Sequence, residues 1–215
     1  MNSPNIMNSE EIKKIFNKDY FEDGVRKRVS AYEQYRWMPE RTIREASSII
    51  NNIQFNTVLD FCCAKGFMVY AMRLLGKEAH GVDVSQYAVE NCHPKVQKYL
   101  SIIDNSEDIK GGWDLIIAKD VLEHIPKEEV LDTLKSLRNR CKTIFIAVPL
   151  GDGQRYRIRE YEMDITHVTK EPEEWWLTTI VQAGFKIKYF DYQFHHLKEN
   201  WTVPHPFGNA FIVAE

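Results

Sequence analysis

The stretch Val58–Val84, VLDFCCAKGFMVYAMRLLGKEAHGVDV, decides how this chain is read. A short apolar run carries Asp60 and gives way to small residues, Cys62, Cys63 and Ala64, then Gly66. An amphipathic segment follows, and a second apolar run ends on Asp83. That order predicts a strand, a tight turn, a helix and a strand with an acid at its tip. It is the layout of a nucleoside-binding βαβ unit. Small turn residues let a ligand approach the backbone, the helix start offers free N–H groups, and the second acid can accept from ribose hydroxyls.

Working outward, the apolar periodicity predicts strand one over Thr57–Phe61 with its helix over Phe67–Leu75, and strand two over His80–Val84 with a helix opening at Ser85 as N-cap. Further strands are expected at Tyr99–Ile103, Asp114–Ala118, Thr143–Val148, Lys186–Tyr192 and Asn209–Ala214. Helices are expected over Lys127–Arg140 and over Glu173–Ala183, the latter stopped by Gly184. Strands alternating with helices imply an α/β fold: a Rossmann-like, seven-stranded, mostly parallel sheet with helices on both faces. No helix is expected between the last two strands, so a loop joins them and the final strand runs antiparallel, at or near the edge. Residues 1–10 read as frayed, and Glu11–Ile50 as mostly helical with breaks at Asp23-Gly24 and Pro39. The expected organisation is an N-terminal helical cap over 1–52 and a core domain over 53–215, with an insertion at 150–172.

Bulk properties narrow the class. At 215 residues the chain suits one well-filled domain, and 44% hydrophobic with 27% charged residues is ordinary for a soluble globular protein. A net charge of −3 argues against non-specific nucleic-acid binding as the main activity. Cys62, Cys63, Cys92 and Cys141 form no CxxC pair, so neither a zinc knuckle nor a disulfide framework is expected. MNSPNIMNSEEIKK lacks the apolar core of a signal peptide, and no apolar run reaches membrane-spanning length. A reducing, cytoplasmic setting and no membrane partner are the expectation.

Several motifs carry a resemblance. VLDFCCAKG, GVDVS, WDLIIAKDVLEHIP, TIFIAVP and DITHVTKEPEEWWLTTIVQAGF, in this order between Thr57 and Phe185, resemble the class I S-adenosylmethionine-dependent methyltransferases, the last segment resembling small-molecule and sugar methyltransferases. The family's turn has three glycines where this chain has Cys62, Ala64 and Gly66, and only Gly66 reaches positive φ without steric cost. The resemblance implies S-adenosyl-L-methionine as cofactor and a small-molecule acceptor. It implies that Asp60 anchors the amino acid moiety from beneath the turn and that the backbone of Cys62, Cys63, Ala64 and Gly66 lines the methionine portion. Asp83, followed by Val84, would take both ribose hydroxyls, Asp104 or Asn105 would reach the adenine amino group, and Lys119 and Asp120 would face methionine and acceptor.

Methyl transfer to a hydroxyl needs in-line positioning and removal of a proton. His167 is the expected base, with Asp164 orienting its ring and His124 as a second pocket histidine. Asp120, Glu123, His124 and His167 also stand at a spacing that resembles a divalent-cation site of some quinone-pathway and RNA-end methyltransferases. Carboxylates with imidazoles suit manganese, iron or zinc better than magnesium. The same letters occur in metal-free relatives, so a metal is not expected. The three arginines of RYRIREYE (Arg155–Glu162) read either as an acceptor-phosphate lid or as a solvated, paired face. The expected activity is O-methylation of a sugar or nucleotide-sugar hydroxyl. N-methylation of a small amine and a non-catalytic binding domain with the same fold are the alternatives.

Overall fold

The computed structural model describes residues 7–215. Seven strands, β1 (Thr57–Phe61), β2 (Glu78–Asp83), β3 (Leu100–Ile102), β4 (Trp113–Lys119), β5 (Cys141–Pro149), β6 (Ile187–Asp191) and β7 (Asn209–Ala214), form one sheet in the order β3-β2-β1-β4-β5-β7-β6. β1 to β5 pair in parallel, while β7 is antiparallel to both β5 and β6. The expected antiparallel final strand is present near the edge, with β6 outermost. Order reverses between β1 and β4, so the crevice above their C-terminal ends is the switch point at which such sheets bind ligands.

Strand periodicity sends alternate side chains to two cores. Leu59, Ile116, Ala118 and Ile144 meet Val130, Leu134, Trp176 and Ile180 of α7 (Lys127–Arg138) and α8 (Glu173–Gln182). Val58, Leu115, Ile117 and Phe145 meet Ala46, Ile49, Val69 and Met72 of α4 (Pro39–Asn52) and α5 (Phe67–Leu74). α4 thus packs against this core, and Pro39 occupies its first turn, where its missing N–H costs nothing.

The cap comprises three short helices, α1 (Ser9–Ile15), α2 (Lys18–Glu22) and α3 (Gly24–Lys27), followed by non-helical chain over 28–38. Of the residues expected to fray, 1–6 lie outside the described residues, while Ser9 and Glu10 open α1, fixed by a reciprocal capping box between Asn8 and Glu11. Ser85 caps α6 (Gln86–Glu90) as expected: its hydroxyl accepts from Ala88 N–H at 3.0 Å and donates to Phe16 O at 2.6 Å, tying the cap to the tip of β2. Between β6 and β7 the expected plain loop contains a helical turn, α9 (Glu199–Thr202), opened by Lys198 in left-handed conformation at φ 54°. Sequence periodicity cannot register a single turn of this kind. All four cysteines are free thiols.

Gly81 on β2 packs beneath the β1–α5 turn. A Cβ there would stand 2.6 Å from Cys63 Sγ and 2.8 Å from Leu100 Cδ2. Gly81→Ala should cost about 1–3 kcal/mol through overpacking. Adding Cys63→Ala should recover part of the loss, both changes being read by urea denaturation.

Candidate active site

The turn after β1 is built from three left-handed residues, Cys62 (φ 58°), Ala64 (φ 50°) and Gly66 (φ 71°). These are the three positions at which the sequence resemblance expects glycine. The backbone conformation is kept although two of the glycines are gone, at roughly 1–2 kcal/mol for each L-residue held there. Two contacts to β2 hold it: Cys63 N–H donates to Val82 O at 3.0 Å, and Ala64 N–H donates to Asp83 Oδ2 at 2.6 Å. The other oxygen of Asp83 accepts from Ser85 N–H at 2.7 Å. Burial raises the Asp83 carboxyl to about 6, although these backbone donors oppose the rise.

A cavity opens above this turn. Cys62, Ala64, Asp83, Val84, Asp104, Asn105, Asp120 and His124 all line it, so most of the expected cofactor residues converge. The cap supplies the facing wall through Ile12, Phe16, Tyr20, Phe21 and Tyr32. Asp60, Cys63, Gly66 and Lys119 do not line it. Cys63 is packed under the turn against Gly81, and Gly66 starts α5 against Val96 and Leu100. Burial, opposed by the Lys119 charge, raises the Asp60 carboxyl to about 7. Lys119 turns toward Asp120 at 2.8 Å and Glu45 at 3.9 Å. These four shape the site from behind its surface.

Asp120 ends β4 with φ 57° and is gripped by two ammonium groups, Lys119 Nζ at 2.8 Å and Lys198 Nζ at 2.5 Å. Burial disfavours its charge, but the two lysines hold its carboxyl far below the usual carboxylate range. Lys198 is itself buried and carries no periodic or motif signal in the sequence.

The histidines are arranged differently from expectation. His124 lines the cavity and His167 does not; no residue of the 150–172 insertion does. His167 stands behind His124, ring centroids 4.6 Å apart, with Nδ1 on Tyr161 O at 2.8 Å. The expected Asp164–His167 pair is loose, Nε2 lying 3.9 Å from Asp164 Oδ2. Asp164 is committed elsewhere: Tyr20 Oη donates to Oδ2 at 2.6 Å, and Thr166 donates to Oδ1 through its hydroxyl at 2.5 Å and its N–H at 3.0 Å. His124 Nδ1 faces Thr166 Oγ1 at 2.7 Å. Burial, then the neighbouring His167, lower His124 to about 4, so its ring is neutral at physiological pH.

Glu123, His124 and His167 bring one ligand atom each within 4.8 Å of one another, and Glu123 Oε2 is buried without a partner. These three could hold a metal. Asp120, the fourth residue of the expected set, is taken up by lysines. His195, His196 and Glu199 form a second such group, part of it exposed. In RYRIREYE, Arg157 pairs with Glu173 and Tyr156 is buried, which is the paired-face reading. Trp176 is core and Trp175 packs on it.

A family model described as a methyltransferase domain matches residues 30–204. The chain belongs to the class I S-adenosylmethionine-dependent methyltransferases. Its fold is shared with solved structures of low identity. An S-adenosylmethionine-dependent methyltransferase from Archaeoglobus fulgidus is 16% identical with TM-score 0.62, over 82% of this chain and 94% of that one. One from Clostridium acetobutylicum is 14% identical with TM-score 0.60, over 82% and 90%. Magnesium protoporphyrin IX methyltransferase from Synechocystis PCC 6803, solved with bound S-adenosylhomocysteine, is 15% identical with TM-score 0.60, over 94% and 98%. A search of the curated proteins found no match. As a methyltransferase the chain uses S-adenosylmethionine, and no helix among the described residues is long and apolar enough to cross a membrane.

The methyltransferase turn gives a direct test of its strain. Ala64→Gly should raise stability by up to about 1 kcal/mol, the left-handed penalty outweighing the extra chain entropy of glycine. Denaturant midpoints of the two proteins check it.

Proposed function

We propose that this methyltransferase O-methylates a small-molecule hydroxyl, with His124 as the general base. The observation that carries the reading is the position of His124: it is the one histidine lining the cavity, on the same wall as Asp120, at the C-terminal end of β4. S-adenosylmethionine, when bound, supplies a methyl group on a sulfonium that is already a good leaving group. The residues present fit it: the nucleoside end has Asp83, Val84, Asp104 and Asn105 at the tips of β2 and β3, and the turn at Cys62 and Ala64 offers close backbone approach. Each oxygen of Asp83 keeps a lone pair beyond its backbone bond, enough to accept one ribose hydroxyl apiece.

At the acceptor end the walls are Phe16, Tyr20 and Tyr32, with the Tyr20 hydroxyl already spent on Asp164 and the Asp120 carboxylate spent on two lysines. Flat aromatic walls with a free imidazole and the Tyr32 hydroxyl suit a hydroxyl carried on a planar, largely apolar ring. A sugar would ask for more free hydrogen-bonding groups than this end offers. A weakly basic imidazole is also matched to an acidic hydroxyl of phenolic type more closely than to an alkyl alcohol.

Two outcomes test this reading. Transfer of labelled methyl from S-adenosylmethionine should be found with phenolic acceptors, and His124→Ala should lower the rate by about 10²–10⁴-fold while leaving S-adenosylhomocysteine affinity intact. Full turnover in that variant, or labelling of amines alone, would overturn it. For Asp83, acceptance of ribose hydroxyls favours the ionised carboxylate, so S-adenosylhomocysteine affinity should rise with pH through about 6 with release of a proton. Calorimetry in buffers of different ionisation heat reads both. Asp83→Asn should weaken binding by about ten- to a hundredfold and abolish that pH dependence.

A further inference from the structure

We propose that Thr166 and Tyr20 are positioning residues for His124: together they fix its imidazole with the proton on Nδ1 and the lone pair on Nε2, and Tyr20 makes this orientation depend on the docked N-terminal cap. The inference rests on the reading of His124 as the base and adds how that base is set.

A count of protons leads to it. Asp164, as a carboxylate, accepts and does not donate. Oδ2 takes the Tyr20 hydroxyl at 2.6 Å, and Oδ1 takes the Thr166 hydroxyl at 2.5 Å and the Thr166 N–H at 3.0 Å. The Thr166 hydroxyl has a single proton, and it is committed to Oδ1. Its oxygen still faces His124 Nδ1 at 2.7 Å, so the proton in that contact belongs to the imidazole. Nδ1–H then donates, and Nε2 keeps the lone pair that a base needs. Unlike several other buried polar atoms, Nε2 of His124 is not sealed without a partner, and the residue lines the cavity.

The role of the cap follows from what holds Asp164. His167 Nδ1 donates to Tyr161 O, so its Nε2, 3.9 Å from Asp164 Oδ2, carries a lone pair and offers that carboxylate no proton. The Tyr20 hydroxyl is the side-chain donor on Oδ2. While Tyr20 is seated, Asp164 is held toward Thr166. Once Tyr20 leaves, the carboxylate is free to rotate, the Thr166 hydroxyl is released to donate to Nδ1, and the tautomer of His124 is no longer fixed. A second contact couples the same parts: the Phe16 ring meets the Tyr20 ring edge-on at 5.0 Å and the His124 ring edge-on at 5.5 Å. Tyr20 itself is 3% exposed.

The test reads the tautomer directly and needs no acceptor. Two-bond proton–nitrogen correlation spectra of the full-length protein, nitrogen-15 labelled at histidine and treated with EDTA, are assigned with His124→Gln. His124 should appear as a single Nδ1–H tautomer. Thr166→Val should convert it to Nε2–H or to a mixture, and Thr166→Ser should restore it. Tyr20→Phe should give a mixture of tautomers while the thermal midpoint and far-ultraviolet circular dichroism keep the fold in view. A wild-type spectrum showing Nε2–H overturns the proposal whether or not the Thr166→Val protein folds, and so does an unchanged tautomer in folded Thr166→Val. An unchanged tautomer in folded Tyr20→Phe removes the part assigned to the cap. Full turnover in His124→Ala would instead remove the functional reading and leave the tautomer standing, so the two failures are distinct.

Discussion

One carboxylate organises this site. Asp83 is 5% exposed and accepts Ala64 N–H on one oxygen and Ser85 N–H on the other. The first bond fastens the turn that follows β1, and the second fastens the start of α6. Since Ser85 also holds Phe16 of the cap, three parts of the chain are referred to a single side chain at the tip of β2. A buried acid with two backbone donors and two lone pairs still free is well suited to a diol, because its hydrogen bonds are already aimed and little reorganisation remains. Replacing it would loosen the turn after β1 and the start of α6 together.

The second centre of organisation is Asp120. A carboxylate flanked by two lysines at the end of β4 is a dense charge cluster in a buried place, and it is tolerable only because each partner neutralises another. Lys198 arrives from the β6–β7 connection and Lys119 from the preceding strand position, so the cluster pins that connection to the sheet. Both Asp120 and Lys198 hold left-handed backbone, conformations that L-residues adopt at a cost and that gather at functional sites. The lysines also decide the metal question for this residue: a carboxylate whose two oxygens are each held by an ammonium group is a poor cation ligand.

Most of the fold could be read from the chain because its signals are local. The continuous apolar run Leu115–Ala118 and the cap at Ser85 are each contained within a few residues, and β7 runs over Asn209–Ala214 as expected. That Cys62, Ala64 and Asp83 line one cavity was legible for the same reason, since they belong to one βαβ unit. The acceptor side was not. Tyr20 meets Asp164 across 144 positions and Lys198 meets Asp120 across 78, and no periodicity links such residues. Sequence adjacency suggested an Asp164–His167 pair, whereas tertiary packing gave Asp164 to Tyr20 and Thr166 and brought His124 to the cavity surface. Lys198 and α9 escaped notice because a single turn opened by a left-handed lysine has no composition to announce it.

Cys62 and Ala64 limit how the turn after β1 can move. A stretch of glycines would wander among many backbone states when empty and would have to be frozen each time a ligand arrived. Side chains at two of those positions shrink that repertoire, and the contacts to Val82 and Asp83 confine what is left. The ordering entropy is thereby lost once, when the protein folds, instead of at every encounter. What the chain forfeits in stability at this bend it regains as a receptor already in shape.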